Sequence, residues 1–165
     1  MNIIKFQGVY KDYIWGGTKL NNKYSKNSGF EKTAESWELR VHPDGESVIS
    51  GGKFDCMKLS EYICLNPNVL GTNRKSDELP VLIKLIDAED NLSVQVHPDD
   101  EMAQKLENQN GKTEMWYVVE ASKDAKIVYG VKEDITKEEL KNAIFSNTVE
   151  NLLNSVSSKK GDVKQ

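Results

Sequence analysis

Gln95, His97 and Glu114 carry donor atoms that suit a divalent cation: an amide oxygen, an imidazole nitrogen and a carboxylate oxygen. The first two lie in Leu92-Ser93-Val94-Gln95-Val96-His97-Pro98-Asp99-Asp100. Alternation there predicts a strand with Leu92, Val94 and Val96 on one face and Ser93, Gln95 and His97 on the other. Side chains two apart on a strand point the same way, so Gln95 and His97 can share one ion. Glu114 follows His97 by seventeen residues, in Gly111-Lys112-Thr113-Glu114-Met115-Trp116-Tyr117. It opens a second expected strand, Glu114–Glu120, in which Glu114, Trp116 and Val118 share a face. Polar side chains opposite an apolar strand face are the pattern of a cavity lining. Spacing alone leaves two readings open, a metal site and a histidine satisfied by structural hydrogen bonds. A three-histidine site is excluded, because the chain has only two histidines and His42 falls in a His-Pro-Asp-Gly turn.

Other site chemistries find less support. There is no glycine-rich phosphate loop and no nucleophile elbow, and neither cysteine has a plausible histidine partner. Asp99 and Asp100 form a carboxylate pair, but behind Pro98 they read better as the start of a helix. Lys84 stands out in Leu79–Ala88, the most apolar run of the chain and the expected buried central strand. An ammonium there must reach a partner or ligand, or else snorkel to the surface.

The elements that position these residues are short. Ile3–Tyr10 reads as a first strand, Gly16-Gly17 as a turn anchored by Trp15, and Asn21–Phe30 as polar and irregular. Ala34–Val41 alternates as a strand, with Ser36, Glu38 and Arg40 facing one way and Trp37, Leu39 and Val41 the other. Ser47–Ser50 is another short strand. Leu59, Tyr62 and Ile63 mark a helix near 58–66, stopped by Asn66-Pro67. A polar loop leads into Leu79. A further helix near 99–108 has Met102, Ala103 and Leu106 on its apolar side. Ala125–Val131 is a strand. Thr136-Lys137-Glu138-Glu139 is a capping box opening a helix with Leu140, Ala143 and Ile144 inward, and Thr148–Val156 reads as a second helical stretch, so helical insertion extends over 136–155. Lys159–Asp162 is a turn. Many short strands with helical excursions predict a mainly β, jelly-roll barrel or sandwich.

Length and composition fit one soluble domain. The 165 residues can bury a real core. A net charge of −4, with Lys and Arg scattered among acids, gives no footprint for nucleic acid or for a membrane surface. No apolar run approaches the ~20 residues that span a bilayer, and no secretory leader is evident. Cys56 and Cys64 read as reduced thiols, which places the chain in the cytoplasm.

Ser93–Asp100 together with Gly111–Tyr117 resembles the paired signature of type I mannose-6-phosphate isomerases, in its short bacterial form. Trp15-Gly16-Gly17, Glu35-Ser36-Trp37-Glu38 and Pro80–Asp87 match as well, so the resemblance covers essentially the whole chain. It implies a cupin-like jelly-roll β-barrel with inserted short helices. It also implies zinc-dependent interconversion of mannose 6-phosphate and fructose 6-phosphate through a cis-enediol. By this resemblance Gln95, His97 and Glu114 correspond to three of four ligands of one Zn²⁺. Lys84 and Lys112 correspond to lysines of the substrate cleft, both candidates for catalysis as well, and Ser93 joins them in binding substrate. The metal would polarise the sugar carbonyl, and the lysines would bind phosphate or stabilise developing charge. The implied partner is a small sugar phosphate, with no nucleic acid or membrane.

The sequence departs from the family pattern after Gly161-Asp162-Val163, where the expected fourth ligand, a histidine, and a later arginine are not found. Residues 1–165 therefore read as the N-terminal cupin-like catalytic domain, with a barrel incomplete at the C-terminus and with weak or no turnover alone. The alternative is a non-catalytic sugar-phosphate-binding or regulatory cupin. A blander alternative has Gln95, His97 and Glu114 merely hydrogen-bonding one another.

Overall fold

The computed structural model describes residues 3–71 and 79–165; part of the polar loop expected before Leu79 lies outside them. Residues 1–93 and 94–165 form two compact units. Small antiparallel sheets dominate both, with a few short helices between the strands.

In the first unit the expected N-terminal strand divides at Gly8 into β1 (Phe6–Gln7) and β2 (Val9–Lys11). The halves pair with different strands, β1 with β4 (Val48–Ile49) and β2 with β3 (Glu35–Leu39). A side chain at Gly8 would come within 3.0 Å of Ser36 Oγ, so a glycine suits the point where the chain changes sheets. α1 (Lys19–Asn22) runs only into the start of the stretch read as irregular, Asn21–Phe30, and its Leu20 is buried. Its first amide, Lys19 N–H, donates to Asp87 Oδ2 at 2.7 Å. α2 (Leu59–Leu65) forms where the i, i+3, i+4 period predicts it and buries Leu59 and Ile63. With Ala34, Trp37 and Ile49 these residues make the core of this unit.

The apolar run before Asp87 forms a shorter and more exposed strand than its composition predicts. Only β5 (Ile83–Ile86) is strand. It lies at one end of the order β2-β3-β5, so β3 rather than β5 is central. Val81 and Ile83 are 49% and 53% exposed. Apolar composition marks a good strand former but does not say which strand has neighbours on both sides.

In the second unit α3 (Asp100–Glu107) starts where expected. Asp99 is its N-cap and accepts from Met102 N–H at 2.9 Å, with Asp100 and Glu101 in the first turn. Asn108 ends it in the left-handed conformation. β7 (Lys126–Val131) pairs with β8 (Leu153–Ser157), and β6 (Trp116–Tyr117) pairs with β9 (Val163–Lys164). α4 (Lys137–Phe145) opens on the expected capping box, with Thr136 and Glu139 bonded reciprocally.

Four expectations fail here. Leu92–His97 forms no strand, and Val94 and Val96 are 52% and 92% exposed. Alternation prepares a segment for a ladder, and among the described residues no strand pairs with this one. The strand expected over Glu114–Glu120 is confined to β6. The helix expected over Thr148–Val156 is a single 3₁₀ turn, Val149–Asn151, followed by β8. Register with β7, with Ile127 opposite Val156, overrides a local helical period. Finally, α3 and α4 bury only their alanines: Ala103 and Ala143 are inside, while Met102, Leu106 and Ile144 are more than half exposed. No described helix is long and apolar enough to cross a membrane, and Cys56 and Cys64 are both free thiols.

Candidate metal and sugar-phosphate site

The excursion through α3 returns the chain to where it left. Gly111 N–H donates to Asp100 Oδ1 at 2.9 Å, and Lys112 N–H to the Pro98 carbonyl at 3.3 Å. A Cβ at Gly111 would lie 2.6 Å from the Asp100 nitrogen and the Asp99 carbonyl carbon, so only glycine permits this approach. The closure places residues 112–114 beside His97.

There His97, Lys112 and Glu114 meet. His97 Nε2 is 3.2 Å from Glu114 Oε2, and Lys112 Nζ is 3.0 Å from both His97 Nε2 and Glu114 Oε1. An ammonium only donates, so Lys112 brings donors to this cluster, and the role of Nε2 depends on the tautomer. Nε2 and the carboxylate both face the one ammonium. An imidazole nitrogen and carboxylate oxygens are what a zinc ion takes from a protein, so this donor set fits the metal. Both side chains keep partial solvent access, 24% for His97 and 30% for Glu114. Gln95 is exposed, two residues before His97 on the same segment. Among the described residues no cluster of three or more His, Cys, Asp or Glu forms a metal centre; a third ligand from this segment would be the amide of Gln95.

Lys84 and Ser93 belong to the first unit. Ser93 is exposed at its end. Lys84 has a partner: its Nζ donates to Glu35 Oε1 at 2.9 Å. Glu35, only 5% exposed, also accepts from Trp37 Nε1 through Oε2 at 2.7 Å. Lys84 is opposite Trp37 in the β3–β5 ladder, and Glu35 shares the face of Trp37 because the two are two residues apart on β3. Lys11 Nζ and Arg40 Cζ stand 4.4 Å and 4.3 Å from the Trp37 ring. Burial pushes the Arg40 guanidinium below its ordinary value, against the pull of Asp44 and Glu35. Burial likewise raises the Tyr13 phenol, with the Glu35 charge adding to it.

Sequence reading did not single out Glu35. The signal was present: an acid two residues from a strand tryptophan, in a sheet whose apolar strand carries a lysine in need of a partner.

The mainly β fold is that of a cupin-like protein, with His97 and Glu114 as candidate metal ligands. Residues 3–123 match the family model of the type I phosphomannose isomerase catalytic domain. The chain belongs to that family. It is 40% identical over 149 residues to a mannose-6-phosphate isomerase of Streptococcus mutans, an alignment covering 90% of this chain and 46% of the relative. It superposes on the crystal structure of the Bacillus subtilis mannose 6-phosphate isomerase with a TM-score of 0.90 at 35% identity, covering 97% of this chain and 51% of that one. A Salmonella typhimurium relation in fold is a mannose 6-phosphate isomerase described without ligand, with a TM-score of 0.68 at 20% identity, covering 99% of this chain and 63% of that one. The chain spans about half the length of the curated bacterial relatives it matches.

Proposed function

We propose that this chain supplies the metal ligands and lysines of a zinc-dependent site that interconverts mannose 6-phosphate and fructose 6-phosphate. One observation carries the reading: His97 Nε2 and the Glu114 carboxylate, 3.2 Å apart, converge on a single cationic group, the Lys112 ammonium. Membership of the type I phosphomannose isomerase family supports the choice of reaction. Gln95, His97 and Glu114 are the residues that would hold zinc, and zinc when bound supplies a Lewis acid for a sugar carbonyl. The chain's own cations do the rest. Lys112 Nζ would donate to phosphate or hydroxyl oxygens of the sugar. Lys84 and Ser93, in the first unit, are proposed as substrate-binding residues from the family resemblance alone. Each ammonium already stands beside a carboxylate, so neither carries an uncompensated charge while it waits for an anion.

The test is whether sugar phosphate and zinc act together. Zinc and mannose 6-phosphate are each added to the chain and to its His97→Ala variant, and melting temperature and fructose 6-phosphate formation are followed. Stabilisation by the sugar that requires zinc and disappears in the variant is expected. Sugar binding indifferent to chelator would favour a non-catalytic sugar-phosphate-binding protein. No stabilisation by either ligand would reduce His97 and Glu114 to a structural hydrogen-bonded pair.

A further inference from the structure

We infer that Glu35 is the positioning residue for Lys84, and that Trp37 is what fixes Glu35. The inference rests on the reading that Lys84 binds the sugar phosphate. A lysine side chain carries four flexible methylenes and a point charge, so an unheld ammonium samples many rotamers and orders itself only at a cost when a ligand arrives. Here that freedom is already removed. Both oxygens of Glu35 are engaged, Oε1 by Lys84 Nζ at 2.9 Å and Oε2 by Trp37 Nε1 at 2.7 Å. The carboxylate is itself buried, at 5% exposure, and sits on β3, which is hydrogen-bonded to strands on both sides. Trp37 is 7% exposed and opposite Lys84 in the ladder. Lys84 keeps 23% of its side chain accessible, and one contact to Glu35 leaves ammonium protons for a ligand. A rigid strand thus holds an indole, the indole holds a carboxylate, and the carboxylate holds an ammonium that still reaches solvent. This is the arrangement of a preorganised anion contact.

A purely structural account has the dependence reversed, with Lys84 present only to neutralise a buried acid. The two accounts differ in a double-mutant cycle. Mannose 6-phosphate binding is measured by calorimetry at saturating zinc for the parent chain, Glu35→Gln, Lys84→Met and the double variant. Glu35→Gln keeps the shape of the carboxylate and removes its charge. It is expected to weaken binding on the order of tenfold in the parent, the size of one charge-assisted contact, and to have no further effect once Lys84 is methionine. Equal losses in both backgrounds would overturn the proposal, because Glu35 would then not act through Lys84.

A second readout needs no sugar. Acetylation of Lys84, followed by peptide mass spectrometry, should be several-fold faster in Glu35→Gln, and faster to a lesser degree in Trp37→Phe, which keeps a ring and deletes only the N–H contact beyond its size change. Unchanged Lys84 reactivity in a folded variant of either kind would also overturn it. If the acetylation rates rise but Lys84→Met binds the sugar phosphate as the parent does, the substrate role of Lys84 fails and this inference fails with it. That failure is recognisable, because the Glu35–Lys84 coupling would still be visible in the footprint.

Discussion

His97 Nε2 and Glu114 Oε2 lie 3.2 Å apart although they are seventeen positions apart in sequence, and the Lys112 ammonium touches both side chains at 3.0 Å. The intervening chain explains the meeting. It leaves through the Asp99 cap, runs along α3, reverses after Asn108, and is pinned by Gly111 against Asp99 and Asp100.

Gly111→Ala tests that closure. Its new methyl would meet backbone atoms at 2.6 Å, which have no rotamer by which to yield. Overpacking of this kind costs about 1–3 kcal/mol. Urea denaturation should show the loss, and zinc affinity should fall with it because residues 112–114 are displaced from His97. Unchanged zinc affinity would mean that the loop does not set the donor geometry.

Lys84→Met strands the Glu35 carboxylate in a nearly dry position. Removing one member of a buried pair costs on the order of 3 kcal/mol, here at the low end because the Lys84 side chain is 23% exposed. Changing Glu35→Gln in the Lys84→Met background should recover part of that loss, since no charge is then left buried. Denaturation midpoints of the single and double variants measure the recovery, and a purely additive result would contradict the pairing.

The capping box makes a local prediction with a defined pH direction. Hydrogen bonds from the Thr136 backbone N–H, and then from its side-chain hydroxyl, hold the Glu139 carboxyl below its usual value. A carboxyl whose folded value is lowered stabilises the folded state above its unfolded value, and the contribution is lost as pH falls through the folded value. Thr136→Ala should cost about 1 kcal/mol at neutral pH. Protection of the α4 amides against hydrogen exchange should fall in the variant, and the difference from the parent should shrink as the solution is acidified below the usual carboxylate range. A difference that grows on acidification would contradict the assignment.

Local chemistry was the most legible part of the sequence. The Thr136–Glu139 box, the Asp99 start of α3 and the α2 period each depend on neighbours within four residues, and each is present. Long-range pairing was not legible in the same way. Leu92–His97 has the alternation of a strand without a ladder, Leu153–Ser157 becomes a strand because β7 lies beside it, and Leu79–Ala88 is apolar yet supplies an end strand. The site divided along the same line. Residue type and spacing singled out His97 and Glu114, and the Gly111 return explains why they meet. Lys84 could be recognised as needing a partner, but Glu35 became that partner only through the β3–β5 register.

Zinc stoichiometry tests the account most directly. The metal-stripped chain is titrated with zinc, the bound metal is counted after gel filtration, and His97→Ala and Glu114→Ala are treated in parallel. The account predicts one zinc per parent chain and its loss in both variants, with Gln95→Ala binding more weakly than the parent. A parent chain that retains no zinc, or variants that hold it as tightly as the parent, would contradict it.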